Sequence, residues 1–287
     1  MNKIDILYQN ALKQIMNQGL ENDDKRLFHR DKLQNKSKTK ALPGMLFEID
    51  LEKDGLPILS LRKIPVKLFV AESIWFLVGH NKTEPFFKKY SKIWESFTEE
   101  DGTVTSYGYR WRKHFGRDQI LGALEMLKKD PTSRHGVVIT WDPATDSLLN
   151  GVKRLNVPCQ IGFMLNIIDN KLNFHSIWRS VDMILGFPHD IAGNSILAHI
   201  FAAYLGVKVE KYFHYIANAH IYNIHYDIAE ELINRKTKQG KIKLKAESEW
   251  FDRASNGDHD LVSEIMEIIN SQYTNYGDPI KGIKIVV

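Results

Sequence analysis

The segment CQIGFMLNIIDNKLNFHSIWRS, residues 159–180, reads as two strands joined by a tight turn at Asp169-Asn170. A hairpin alone is marginal in water, so other elements must cover its apolar face. The chain supplies them at once. DIAGNSILAHIFAAYLG reads as a buried helix closed by Gly206, and KVEKYFHYIANAHIYNIHYD as a further strand. Three consecutive elements of this kind call for a sheet with a helix packed on it.

The flanking sequence extends this pattern. Ile4, Leu7, Leu12, Ile15 and Met16 mark an amphipathic first helix that Gly19 stops. MLFEIDLEKDGLPILSLRKIP reads as a strand pair turning at Asp54-Gly55, and VKLFVAESIWFLVGH as an apolar helix interrupted by Glu72. RDQILGALEMLKKDP is a helix ended by Pro131, and HGVVITWDP a short buried strand. Beyond residue 226 come the helix IAEELINRK, the strand KIKLKAE, a helix near 259–270 and an apolar tail. Strands and helices mix without a βαβ rhythm, so the class is α+β. With 287 residues and no repeat or long linker, one domain over 1–287 is the simplest organisation.

Composition narrows the function. A net charge of +4 is mild; it suits a small anionic substrate and does not demand nucleic acid. The lone Cys159 allows no intramolecular disulfide and points to a reducing compartment. The N-terminus lacks the apolar core of a signal peptide, and no stretch approaches the roughly 20 apolar residues of a membrane span. A cytoplasmic location is expected. The basic stretch from Arg26 to Lys40 fits a solvated loop or a phosphate-contacting one. YGYRWRKHFGR, with aromatics between Arg110, Arg112, Lys113 and Arg117, is the best support for a nucleic-acid-binding alternative.

Cys159 follows a proline and enters an apolar strand, where a lone cysteine is ordinarily a small core residue. Its company argues for more. WRSVD places Arg179, Ser180 and Asp182 at the end of the next strand, and AHIY puts His220 and Tyr222 on one strand face. Glu72 sits in a segment too apolar to hold a carboxylate without reason.

Six ordered motifs together resemble the thymidylate synthase family along nearly the whole chain. LPILSLRKIPVKLFVAESIWFL is similar to the segment bearing that family's catalytic glutamate, and YGYRWR to its YGxxWR motif. DPTSRHGVVITW resembles the arginine segment and VPCQIGF the nucleophile motif. RSVDMILGFPHDIA resembles RSxDxxLGxPxNIA, and AHIYNIH the histidine–tyrosine segment; GIKIVV is like the family's closing tail. The resemblance implies a mixed sheet flanked by helices, dimerising through the sheet face. It implies that Cys159 adds to C6 of a pyrimidine and that Arg179 and Ser180 bind the nucleotide phosphate. Arg134 would reach the partner's site in a homodimer, and His220 and Tyr222 would hold the sugar. Gln160 falls on the substrate side. Glu72 and Tyr107 belong to the catalytic hydrogen-bond set. Asp182, Trp94, Ile93 and Gly186 fall on the side of a reduced folate, with 5,10-methylenetetrahydrofolate as one-carbon donor.

The sequence departs from the synthase pattern at informative places. Asp190 stands where the synthase has the asparagine that reads uracil. An acid at a helix entrance can simply cap backbone N–H groups. A carboxyl group can also accept from the 4-amino group of cytosine and, if protonated, donate to N3. The family's cytidylate hydroxymethylases resemble this chain at that position. Gln160 replaces histidine, Trp178 glutamine, His135 an arginine, and Gly193-Asn194 replaces Ser-Tyr. The family's N-terminal phosphate-loop arginine is not recognisable, with Lys36 or Lys38 as weak substitutes. The expected activity is folate-dependent C5 hydroxymethylation of CMP or dCMP. Thymidylate synthase or cytidylate C5-methylase activity is the alternative.

Overall fold

A computed structural model describes residues 2–23, 38–146, 157–236 and 239–285. Helix α1 (Lys3–Gln18) buries Ile4, Tyr8, Ala11, Leu12 and Ile15 as one stripe and ends at Gly19, as its apolar spacing requires. Strands β1 (Leu20–Asp23) and β2 (Lys38–Asp50) follow, the latter pairing antiparallel with β7 (Lys208–Tyr222) along nearly its full length. Helix α2 (Val66–Val78) is apolar nearly all round and closes on Gly79 at φ 70°. The short helix α3 (Tyr107–Tyr109) runs into a π-helical turn at Arg110–His114. Then come α4 (Gln119–Lys129), β3 (Val137–Ile139) and α5 (Pro143–Asp146).

Strands β4 (Gln160–Ile168) and β5 (Lys171–Trp178) form the hairpin at the centre of the chain. Asp169 and Asn170 adopt φ 52° and 55°, the left-handed pair that a two-residue turn of matching twist needs. After β6 (Val181–Asp182), helix α6 (Gly186–Leu205) crosses over the sheet so that β7 returns parallel to β5. Helices α7 (Tyr226–Asn234), α8 (Trp250–Ser255) and α9 (His259–Asn270) complete the fold. The sheet order is β1-β2-β7-β5-β4-β3, with β6 beside β7. It is a mixed sheet with flanking helices, an α+β architecture.

The two faces of the sheet differ. Phe163, Leu165, Phe174, Trp178, Tyr212 and Ile216 point under α6 and are buried. Alternate residues point the other way and form an exposed apolar band. Leu46 lies opposite Tyr215, Tyr215 opposite Ile177, and Met164 opposite Val137, and each of these is more than a third exposed.

Three sequence expectations change. Only the first arm of the strand pair at Asp54-Gly55 forms. Residues 55–61 are buried on both sides, and their backbone bonds run to Ile242 O, the Asp5 carboxylate and Gly277 rather than to a strand. KIKLKAE is extended, with Ile242 and Leu244 inward, but Lys243 pairs with the Gln272 side chain instead of a ladder. Strand β3 is an edge strand with Val137 and Ile139 exposed, not a buried one.

Candidate active site

Cys159 immediately precedes β4 and Arg179 immediately follows β5. The Gln160–Trp178 pairing therefore brings the two together, and Arg179 N donates to Cys159 O at 2.9 Å. The guanidinium is held by main-chain carbonyls, Nε on Pro158 O at 2.7 Å and Nη2 on Val157 O at 3.0 Å. Nη2 also lies 3.8 Å from Cys159 Sγ, and the group stacks over Trp141. A cation fixed beside sulfur favours the thiolate, the species that attacks carbon.

Helix α2 carries Glu72 into the surroundings of Tyr107, whose hydroxyl feels both Glu72 and Cys159. Trp94 Nε1, on the turn Ile93–Phe97, donates to Glu72 Oε1 at 2.6 Å. Burial pushes the Glu72 carboxyl up to about 7, against the lowering effect of the Trp94 bond. Such a group exchanges protons near neutrality. Tyr107 stands between the elements, its hydroxyl beside the Cys159 backbone. Burial, then the charges of Cys159 and Asp190, hold that hydroxyl well above its ordinary range, so it stays a donor. Trp94 itself is buried and packs edge-on to Trp75 and Tyr107, so it orients Glu72 as much as it walls the recess.

Asp190 is not a cap. Helix α6 begins at Gly186, which puts Asp190 in its second turn, beyond the free N–H groups of the first. Asp182 instead holds the turn that leads into the helix, its Oδ1 accepting from Ile184 N at 2.8 Å and Leu185 N at 3.3 Å. The Asp190 carboxyl takes no hydrogen bond among the described residues. Burial, then the charges of Glu72 and Asp182, raise it well above the carboxylate range. Gly186 lies close against it, since a Cβ there would sit 3.2 Å from Asp190 Oδ2 and crowd the carboxyl.

Other candidates fall around this centre. Ser180 Oγ lies 3.3 Å from His220 Nδ1, which also meets Asn218 Oδ1 at 3.1 Å. Tyr222 packs edge-on to His220 at 5.1 Å, and Asp182 is the register partner of His220 between β6 and β7. Ile93 is half-buried at the Trp94 turn. Arg134 is different: exposed, and next to Gly136, which pairs with Leu165 six residues along β4 from Cys159. That separation is about 20 Å, so Arg134 does not reach its own chain's sulfur. Lys38 ion-pairs with Glu21 at 2.8 Å, while Lys36 and most of the basic stretch lie outside the described residues.

Sequence reasoning noted Asn194 only as a departure from the synthase pattern, gave Ser73 no role, and read Arg110 and Arg112 with the nucleic-acid alternative. Asn194 Nδ2 donates to Asp190 O at 2.8 Å and its Oδ1 accepts from Gln160 Nε2 at 3.1 Å. Ser73 Oγ donates to Phe69 O at 2.7 Å and to Gly193 O at 3.2 Å; this close contact of α2 with α6 sets Glu72 near Asp190 and leaves little room for a side chain at 193. Arg110 is buried on Asp146 at 2.7 Å, and Arg112 pairs with Asp118, so half the cations in YGYRWRKHFGR are consumed internally. The i, i+4 spacing from Asp190 to Asn194 was the one available signal. Among the described residues no His, Cys, Asp and Glu group is arranged to hold a metal, and no helix is long and apolar enough to cross a membrane.

The sequence matches the thymidylate synthase family over residues 6–266. The fold is similar to that of thermostable thymidylate synthase A from Bacillus subtilis, with a TM-score of 0.70 and 24% identity over 82% of this chain and 86% of that one. With the family signature spanning most of the sequence, the chain belongs to the thymidylate synthase family.

Proposed function

We propose that this family member is a cytidylate 5-hydroxymethyltransferase acting, as one catalytic domain, on CMP or dCMP. The observation that carries the reading is Asp190. It is a carboxyl group raised by burial, placed beyond the helix's capping positions and without a protein hydrogen-bond partner among the described residues. Held protonated, it offers one acceptor and one donor side by side, complementary to the 4-amino group and N3 of cytosine. Uracil presents the reverse pattern, and burying the mismatch costs about 1–3 kcal/mol, or roughly 10- to 100-fold in selectivity.

In this reading the Cys159 thiolate adds to C6, and the electron pair displaced from the C5–C6 double bond moves toward N3, where the Asp190 proton receives it. Arg179 and Ser180 bind the phosphate, with His220 and Tyr222 against the sugar. Glu72, poised near neutrality, accepts and returns protons or orders a water, and Tyr107 donates beside the sulfur. The folate side fits Asp182, which keeps a second oxygen as acceptor, and Gly186, where a side chain would crowd the Asp190 carboxyl, with Ile93 and Trp94 as wall. The 5,10-methylenetetrahydrofolate bound there supplies the one-carbon unit that C5 captures. The C5 proton then leaves as the C–N bond to the carrier breaks and tetrahydrofolate departs, water adds to the exocyclic methylene left on C5, and Cys159 is expelled as C5=C6 re-forms.

A homodimer completes the site. Arg134 is exposed and far from its own Cys159, and the apolar band on the open sheet face gives a second copy a surface to cover. Incubation with methylenetetrahydrofolate and CMP, dCMP, UMP or dUMP, followed by mass spectrometry, tests the reading. It predicts a cytidylate product heavier by CH2O. A dUMP-only enzyme whose product gains CH2 would end it.

A further inference from the structure

Asp190 and Asn194 lie one turn apart on the same face of α6. The Asn194 amide is engaged at both ends, and its orientation is dictated. A backbone carbonyl can only accept, so the nitrogen of Asn194 faces Asp190 O and its oxygen faces Gln160. Gln160 must answer that oxygen with its own NH2 group. Its Oε1 is therefore turned away, and it has no partner among the described residues although Gln160 is fully buried. A carbonyl oxygen left that way is costly, and the fold retains it next to the nucleophile.

The position of this oxygen matters. Gln160 directly follows Cys159 and lies opposite Trp178, so both side chains share the sheet face under α6. Trp178 packs edge-on to Tyr107 at 5.9 Å, and the Tyr107 hydroxyl feels both Cys159 and Asp190. The Gln160 amide, one residue along the chain from the nucleophile, thus connects through Asn194 to the helical turn that carries Asp190.

We propose that Asn194 is a positioning residue for base selection, holding Gln160 so that Oε1 accepts the second N–H of a 4-aminopyrimidine ring. This rests on the cytidylate reading and deepens it: the exocyclic amine has two N–H bonds, and Asp190 takes only one. A 4-oxo base brings an acceptor toward a locked acceptor. A histidine at position 160 would present a donor or an acceptor according to its tautomer and would not discriminate in this way. Once Asn194 is removed, Gln160 is free to turn its NH2 toward a carbonyl.

The test is the ratio of kcat/KM for cytidylate to that for uridylate in the wild-type protein, Asn194→Ala and Gln160→His, each checked for folding by circular dichroism. The ratio should fall roughly tenfold in both variants, largely through improved use of uridylate, as expected when a buried polar mismatch is relieved. A merely structural role lowers both substrates together and leaves the ratio unchanged, which would overturn the proposal. Should alanine at 194 prevent folding, Gln160→His carries the same test, with Asn194→Ser as the smaller lesion at the same site. Failure of the cytidylate reading is visible separately, because the wild-type protein alone would then prefer uridylate.

Discussion

Replacing Glu72 with glutamine keeps the side-chain shape and the acceptor for Trp94 Nε1 while removing the ionisable group. Burial lifts the folded carboxyl from 4.5 to about 7. Between those values the folded protein holds a proton that the unfolded chain has released, so this group's contribution to stability falls as pH rises through that window. A difference of about 2.5 in pKa corresponds to about 3 kcal/mol, and the partial exposure of Glu72 makes that a ceiling. Asp190, raised in part by the charge of Glu72, shifts the balance in the same direction when that charge is removed. The Glu72→Gln variant should therefore gain on the wild-type protein as pH rises from about 5 to about 7, and the gap should level off near pH 8. Urea unfolding of both proteins across that range measures it. Turnover should collapse in the same variant, since the proton-exchanging group is gone. A stability gap that stays constant with pH would refute the claim that Glu72 is held protonated by its surroundings.

Asp190→Asn should shift preference from cytidylate toward uridylate by roughly 10- to 100-fold in kcat/KM, read from paired kinetics. Cys159→Ala should abolish turnover while nucleotide binding persists in calorimetry; unchanged turnover would remove the sulfur from the chemistry. Gly193→Ala places a Cβ 3.0 Å from Ser73 Oγ and should lower stability by about 1–3 kcal/mol and kcat with it, as α2 and Glu72 are pushed away from α6. Asp146→Ala removes the closer of two carboxylates on the buried Arg110 guanidinium, leaving Asp142 at 3.5 Å, and should cost about 1–3 kcal/mol in denaturant unfolding; a loss within about 0.5 kcal/mol would contradict the ion-pair account.

Much of the fold was legible because its elements carry local signals. The left-handed Asp169-Asn170 turn, the Gly206 stop and the His259–Asn270 helix follow from turn chemistry and periodicity. The failures share a cause. Residues 55–61 and 241–247 have strand-like patterns, but their backbone partners come from distant side chains and loops that no local window contains. The site divides in the same way. Cys159, Glu72 and Arg179 stood out as chemical types, while Tyr107 was marked only by the family resemblance; the structure sets Arg179 beside Cys159 and the Tyr107 hydroxyl within reach of the charges of Cys159 and Glu72. That Asp182 and not Asp190 secures the helix entrance depends on where α6 starts, four residues earlier than the apolar run suggests. The link from Asp190 through Asn194 to Gln160 joins two elements and could be seen only once they were packed.

A crystal structure of the protein with cytidylate bound tests the central claim most directly. The account predicts an Asp190 carboxyl oxygen within about 2.6–3.2 Å of the exocyclic nitrogen, with Cys159 Sγ facing C6. A ring seated with its amino group away from Asp190 would contradict it.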